Sequence, residues 1–138
     1  HVSSAQGVLP ATRFAVDAYA RFVREQPLLP AVASSLTELF APQIHEQRIA
    51  GLLANYDFAN DQTISYFKQR LNEAPKDVAF GLQWVLDNAV TQSDQDAAAA
   101  ALTFKTVALW AQLDALYSAY VAPGRIPPGG WQPHEGRL

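Results

Sequence analysis

Hydrophobic residues return every three to four positions through most of this chain, the spacing of helices that each bury one stripe, and no segment reads as a credible strand. Between Pro10 and Gln26, Phe14, Ala18 and Phe22 recur at spacings of four beside Ala15, Tyr19 and Val23, which predicts an amphipathic helix with Pro10 in its first turn. The "PLLP" stretch from Pro27 to Pro30 is expected to stop that helix, because each proline disfavours helical geometry in the residue before it. A second helix is expected from about Val32 to Phe40, after which Pro42 either kinks it or opens a new helix running to Tyr56. Asn60 or Asp61 is placed to cap a helix that Pro75 should end, and Val78, Leu82, Val85 and Leu86 form the stripe of the next, with Trp84 off to one side. Thr91 or Ser93 caps the longest helix, whose stripe is Leu102, Leu109, Leu113, Leu116 and Tyr120, before Pro123 and Gly124 close it.

About six helices and no repeat of solenoid length predict an all-α helical bundle or part of one. Residues 1–122 form its helical part. Residues 123–138, half of them Pro or Gly, are expected to make an extended tail, with Trp131 either docked onto the body or leading to another domain.

Composition narrows the chemistry. The 138 residues suffice for one core and contain no cysteine, which excludes disulfides and thiolate chemistry and makes a cytoplasmic location the expectation. A formal net charge of −3 and 17% charged residues offer no field for a nucleic-acid backbone or an anionic membrane, and no apolar run approaches a spanning helix. The chain also contains no methionine, so it is expected to be a piece of something longer. Zinc-protease, carboxylate-bridged di-metal, phosphate-loop, dinucleotide and nucleophile-elbow motifs are all missing, and His1, His45 and His134 are scattered.

Several polar side chains nevertheless sit where apolar ones are expected. At about 100° per residue, His45, Arg48, Ile49, Leu52 and Tyr56 fall within about a 100° sector that should face inward. A lone histidine on such a face is ordinarily a satisfied core residue, but an arginine is seldom buried without a carboxylate or an anionic ligand. Tyr66 and Arg70 lie four apart on the edge of the Ile64, Phe67, Leu71 stripe, where they either clamp an oxyanion or snorkel outward as an exposed pair. Lys105 sits on the shoulder of the longest stripe, either snorkelling or held as a desolvated ammonium seeking an anion. Tyr19, near an apolar face, reads first as packing. Three cations in this set point to a small polyanion such as a polycarboxylate.

The strings "LPATRFAVDAY", "SSLTELFAPQIHEQRIAG", "YDFANDQTISYFKQRL", "LTFK" and "LWAQLDALYSAYV" follow the order and spacing of the C-terminal half of the pyrroloquinoline-quinone-forming branch of the TENA/PqqC family, which the chain resembles from about Val8 to Gly129. The resemblance implies a haem-oxygenase-like helical fold with its N-terminal half missing, and a homodimeric oxidase. That enzyme would close a ring and oxidise a bicyclic polycarboxylate precursor with dioxygen, releasing hydrogen peroxide and using no metal or organic cofactor. Carried over string by string, it makes His45, Tyr66, Arg70 and Lys105 catalytic and Arg48 and Tyr19 substrate-binding. Gly7 and Asn55 stand where relatives often carry histidine. The competing reading is a catalytically silent helical fragment that binds a small anion or a protein partner; a related enzyme acting on another heterocycle fits the strings less well.

Overall fold

The computed structural model describes residues 7–123, and among them every regular element is helical. The expected 123–138 tail, with Trp131, lies outside the described residues except for Pro123. Five α-helices follow one another: α1 (Pro10–Glu25), α2 (Leu28–Ser34), α3 (Ala41–Asn55), α4 (Ser65–Asn88) and α5 (Gln92–Leu116). A 3-10 segment (Ser35–Phe40) joins α2 to α3, and a π turn (Tyr117–Val121) extends α5.

Local chemistry sets most of the boundaries. Thr91 and Asp94 cap α5 reciprocally: the Thr91 backbone N–H donates to Asp94 Oδ2 at 2.9 Å and the Asp94 N–H to Thr91 Oγ1 at 3.1 Å. Asn60 Oδ1 accepts from the backbone N–H groups of Gln62 and Thr63 at 3.0 and 3.1 Å, forming the turn that leads into α4. Pro42 occupies the first turn of α3, where its missing N–H leaves nothing unsatisfied. The same logic corrects the expectation for "PLLP". Pro30 falls in the first turn of α2, so the stretch that ends α1 also opens a helix four residues earlier than expected, and the run to Phe40 tightens to 3-10 geometry.

Pro75 is the second correction. It sits inside a continuous α4 of 24 residues, which is why one helix stands where two were expected. A mid-helix proline costs about 3 kcal/mol. Ala74 and Val78, 0% and 8% exposed, flank it on the buried face, while Pro75 itself points outward, where solvent can satisfy the carbonyl its missing N–H leaves behind.

The described residues divide into two compact units, Val23–Lys105 and a second made of residues 7–22 with 106–123. In the first, α4 is the hub: α2, the 3-10 segment and α3 all pack on it. The core there consists largely of small side chains, with Ala33, Ser34, Ile64 and Ala74 essentially inaccessible and Leu36, Val78 and Val85 nearly so. Buried Ser34 donates its hydroxyl to the Ala31 carbonyl at 2.7 Å, so its polar atom is matched. In the second unit the buried apolar residues are Ala15 and Ala108, whereas the stripe expected to be a core is bare: Leu109, Leu113, Leu116 and Tyr120 are all exposed. Their helical spacing is as predicted, but the described residues of this unit supply no surface that covers them.

Candidate active site

Within the unit Val23–Lys105, α3 and α4 lie side by side with the 3-10 segment across them, and His45, Arg48, Tyr66 and Arg70 lie along that seam. His45 projects from α3 into it and is 9% exposed, the one buried titratable side chain among the described residues. Its ring meets Tyr66 edge-on, with centroids 6.5 Å apart at 80°, and lies 5.6 Å from Phe67. Nδ1 of His45 is buried with no hydrogen-bond partner among the described residues. An unmatched buried polar atom costs about 1–3 kcal/mol, so this nitrogen is poised to take a partner from a ligand or from further protein.

Arg48, one turn along α3, corrects the inward reading of its face. It is exposed, with Cζ 5.3 Å above the Phe67 ring. The reason is geometric: Arg48 lies at the edge of that sector of about 100°, about 60° round the helix from His45, so His45 falls inside and Arg48 on the rim. There the π face of Phe67 takes the place of the expected carboxylate, worth about 0.5–1 kcal/mol at an exposed site. Tyr66 is likewise at the surface, 62% exposed, its phenol open to whatever approaches the seam.

Arg70 sits two turns into α4 and is half-buried. Its Nη1 donates to Asp77 Oδ2 at 3.1 Å, and Nη2 lies 3.6 Å from Glu38 Oε2 on the 3-10 segment. The Asp77 hydrogen bond is the largest influence raising the guanidinium pKa. Burial works against it, while the charges of Asp77 and Glu38 and the nearby Tyr66 phenol add to it. Lys105, half-buried on α5, is pushed the other way: burial lowers its pKa below the ordinary lysine value, and Glu38 partly restores it. Glu38 is thus shared electrostatically by Arg70 and Lys105, and the cluster's positive excess is smaller than its three cations suggest.

The structure therefore gathers His45, Arg48, Tyr66, Arg70 and Lys105 in one unit. Tyr19 belongs to the other unit. Sequence reasoning missed Glu38 and Asp77, and it placed Phe67 in an apolar stripe without its contact to Arg48. The signal for the carboxylates was present in the rule that an arginine on an apolar edge needs a partner, and Glu38 lay within the very string that carried the resemblance. Among the described residues, no three His, Cys, Asp or Glu side chains come together as a metal-binding group, and no helix is long and apolar enough to cross a membrane. A large open hollow of about 660 Å³ lies elsewhere, in the second unit, walled by apolar and aromatic side chains including Trp110, Leu113 and Tyr117.

A model of the TENA/THI-4/PQQC family matches residues 2–115. A pyrroloquinoline-quinone synthase of Rhizobium meliloti (strain 1021) is 71% identical over 136 residues, 99% of this chain and 53% of the relative. That of Rhizobium rhizogenes (strain K84) is 67% identical over 136 residues, 99% and 55% of the two chains. A bifunctional coenzyme PQQ synthesis protein C/D of Methylorubrum extorquens is 57% identical over 136 residues, 99% and 37% of the two. The chain spans about half the length of the first two.

Proposed function

The chain belongs to the TENA/THI-4/PQQC family, and from that premise we propose that it is part of an enzyme that completes pyrroloquinoline quinone formation. The reaction closes a ring in a bicyclic polycarboxylate precursor and oxidises it with dioxygen, releasing hydrogen peroxide. It proceeds without a metal or organic cofactor, since the substrate supplies electrons once deprotonated. The observation that carries this reading is the buried His45 with its unmatched Nδ1, set against Tyr66 in the same unit as Arg70 and Lys105. A buried imidazole with one nitrogen awaiting a partner can move a proton at the substrate. Arg48 on the rim and Arg70 on the seam attract the precursor's carboxylates, and Tyr66 donates a hydrogen bond to the oxygen species. Lys105, a cation that burial disfavours, stabilises negative charge developing beside it. The working enzyme is a cytoplasmic homodimer that engages neither nucleic acid nor membrane.

The test is aerobic incubation of the full polypeptide that contains this chain with the ring-open precursor, following the quinone chromophore and hydrogen peroxide. Quinone should form in the presence of a chelator and without added flavin. His45→Ala should lower kcat/KM by at least about 100-fold, the scale of a lost proton-transfer group. A requirement for added metal or flavin defeats the cofactor-free claim, and unaltered rates in His45→Ala and Arg70→Ala remove the site. The second reading, a silent binding protein, draws on the broad exposed apolar face of α5. It predicts retention of an anion with no oxygen consumption.

A further inference from the structure

Arg70 is held by two carboxylates that are not equivalent. Asp77 accepts a hydrogen bond from Nη1 at 3.1 Å and rides on the same helix, two turns on. Residues seven apart share a face of an α-helix, and Ala74, which lies between them on that face, is fully buried and has no side chain long enough to stand in the way. The Arg70 side chain can therefore run along α4 towards Asp77, away from Tyr66 one turn back. Glu38 comes from a different element, meets Nη2 at 3.6 Å without a hydrogen bond, and also acts on Lys105.

We propose that Asp77 is a positioning residue for Arg70: it fixes one end of the guanidinium through Nη1, so that the Nη2 end is presented to an incoming carboxylate while Glu38 gives way. Guanidinium donors are rigid and planar, so fixing one end orients the other. A long side chain left unrestrained must give up rotamer freedom each time an anion binds, and Asp77 removes part of that cost before substrate arrives. Glu38 loses little when displaced from Nη2, because the Lys105 ammonium still attracts it. The proposal rests on the reading of Arg70 as a carboxylate clamp.

Two measurements on the full polypeptide test it. The first is the proton-exchange broadening of the Arg70 Nε–H signal by NMR, in the ligand-free protein and its Asp77→Asn variant. The signal should be sharp in the parent and broadened in the variant, whatever reaction the protein performs. The second is a double-substitution cycle with the precursor. Asp77→Asn should raise KM roughly three- to fivefold with kcat nearly unchanged, the scale of one partly exposed ion pair. In an Arg70→Lys background, which lacks the two-ended fork, Asp77→Asn should add nothing further. An Arg70 signal indifferent to Asp77 overturns the proposal, as does the same KM loss in both backgrounds, which would mean that Asp77 acts through the fold. A parent protein that makes no quinone defeats the proposed function instead, and the NMR signal still decides whether Asp77 positions Arg70.

Discussion

The seam between α3 and α4 and the C-terminal half of α5 carry apolar stripes of similar regularity, yet one is closed and the other bare. Ile64 in the first is 0% exposed, while Leu113 in the second is 59% exposed. The difference lies in what faces each stripe. The 3-10 segment and α2 fold back onto α4, and their small residues, Ala33 and Ser34, let the backbones approach closely. For Leu109, Leu113, Leu116 and Tyr120, all exposed, no described residue plays that part. Helical periodicity thus reports which face asks for cover, and leaves open whether the cover comes from this chain, from the longer polypeptide that its relatives' lengths suggest, or from a second copy.

The strongest way to break the contrast is matched truncation. Ile64→Ala should lower the unfolding free energy by about 2–5 kcal/mol, since the removed atoms leave a cavity in a closed core. Leu113→Ala should cost less than about 1 kcal/mol, because its side chain is already largely in water. Urea denaturation of the 138-residue chain followed by circular dichroism measures both. If Leu113→Ala costs as much as Ile64→Ala, the α5 face is covered in solution. A parent stability that rises with protein concentration, beside a variant stability that does not, would identify the cover as a second copy.

The same contrast explains what the sequence made legible. The all-α class followed from spacing, and the inward placement of His45 followed from its position beside Ile49 and Leu52. Arg48, only one turn on, was misplaced because a helical wheel gives directions but not the width of the contact. Pro75 was read as a stop because local propensity opposes it; the buried faces of Ala74 and Val78, which outweigh that propensity, depend on packing partners distant in sequence. Glu38 and Asp77 were invisible for a related reason. Glu38 reaches Arg70 across more than thirty residues, and Asp77 reaches it along a helix that local propensity would end at Pro75.

Ala74 offers a test at intermediate scale, because it joins the packed seam to the charge pair. Ala74→Leu should destabilise the chain by about 1–3 kcal/mol through overpacking of a site with no exposed area. It should also break the Arg70–Asp77 contact, so the Arg70 Nε–H signal broadens as it does in Asp77→Asn. Ala79→Leu, on the exposed side of the same helix, should leave both stability and signal nearly unaltered. Broadening in both variants would show that Arg70 responds to any disturbance of α4.

Lys105 gives the smallest effect and the finest test of where the closed region ends. Burial holds its ammonium below the ordinary lysine pKa, with Glu38 pulling the other way. In the folded state the proton is therefore released at lower pH than in the unfolded chain. At neutral pH both states are charged and the folded one bears the desolvation cost. As pH rises through the folded value towards the ordinary 10.5, the folded state discharges first and the cost is relieved, so the Lys105 contribution to stability improves with pH in that window. Lys105→Met should thus be slightly stabilising at pH 7, by less than the two truncations above because solvent screens a half-buried group, and the gain should disappear above the ordinary lysine range. The readout is the difference in urea midpoint between parent and variant at the two pH values, which cancels the titration of residues they share. A gain that is the same at both pH values would assign the effect to packing of the methionine side chain, and a loss at pH 7 would mean that the attraction of Glu38 outweighs burial.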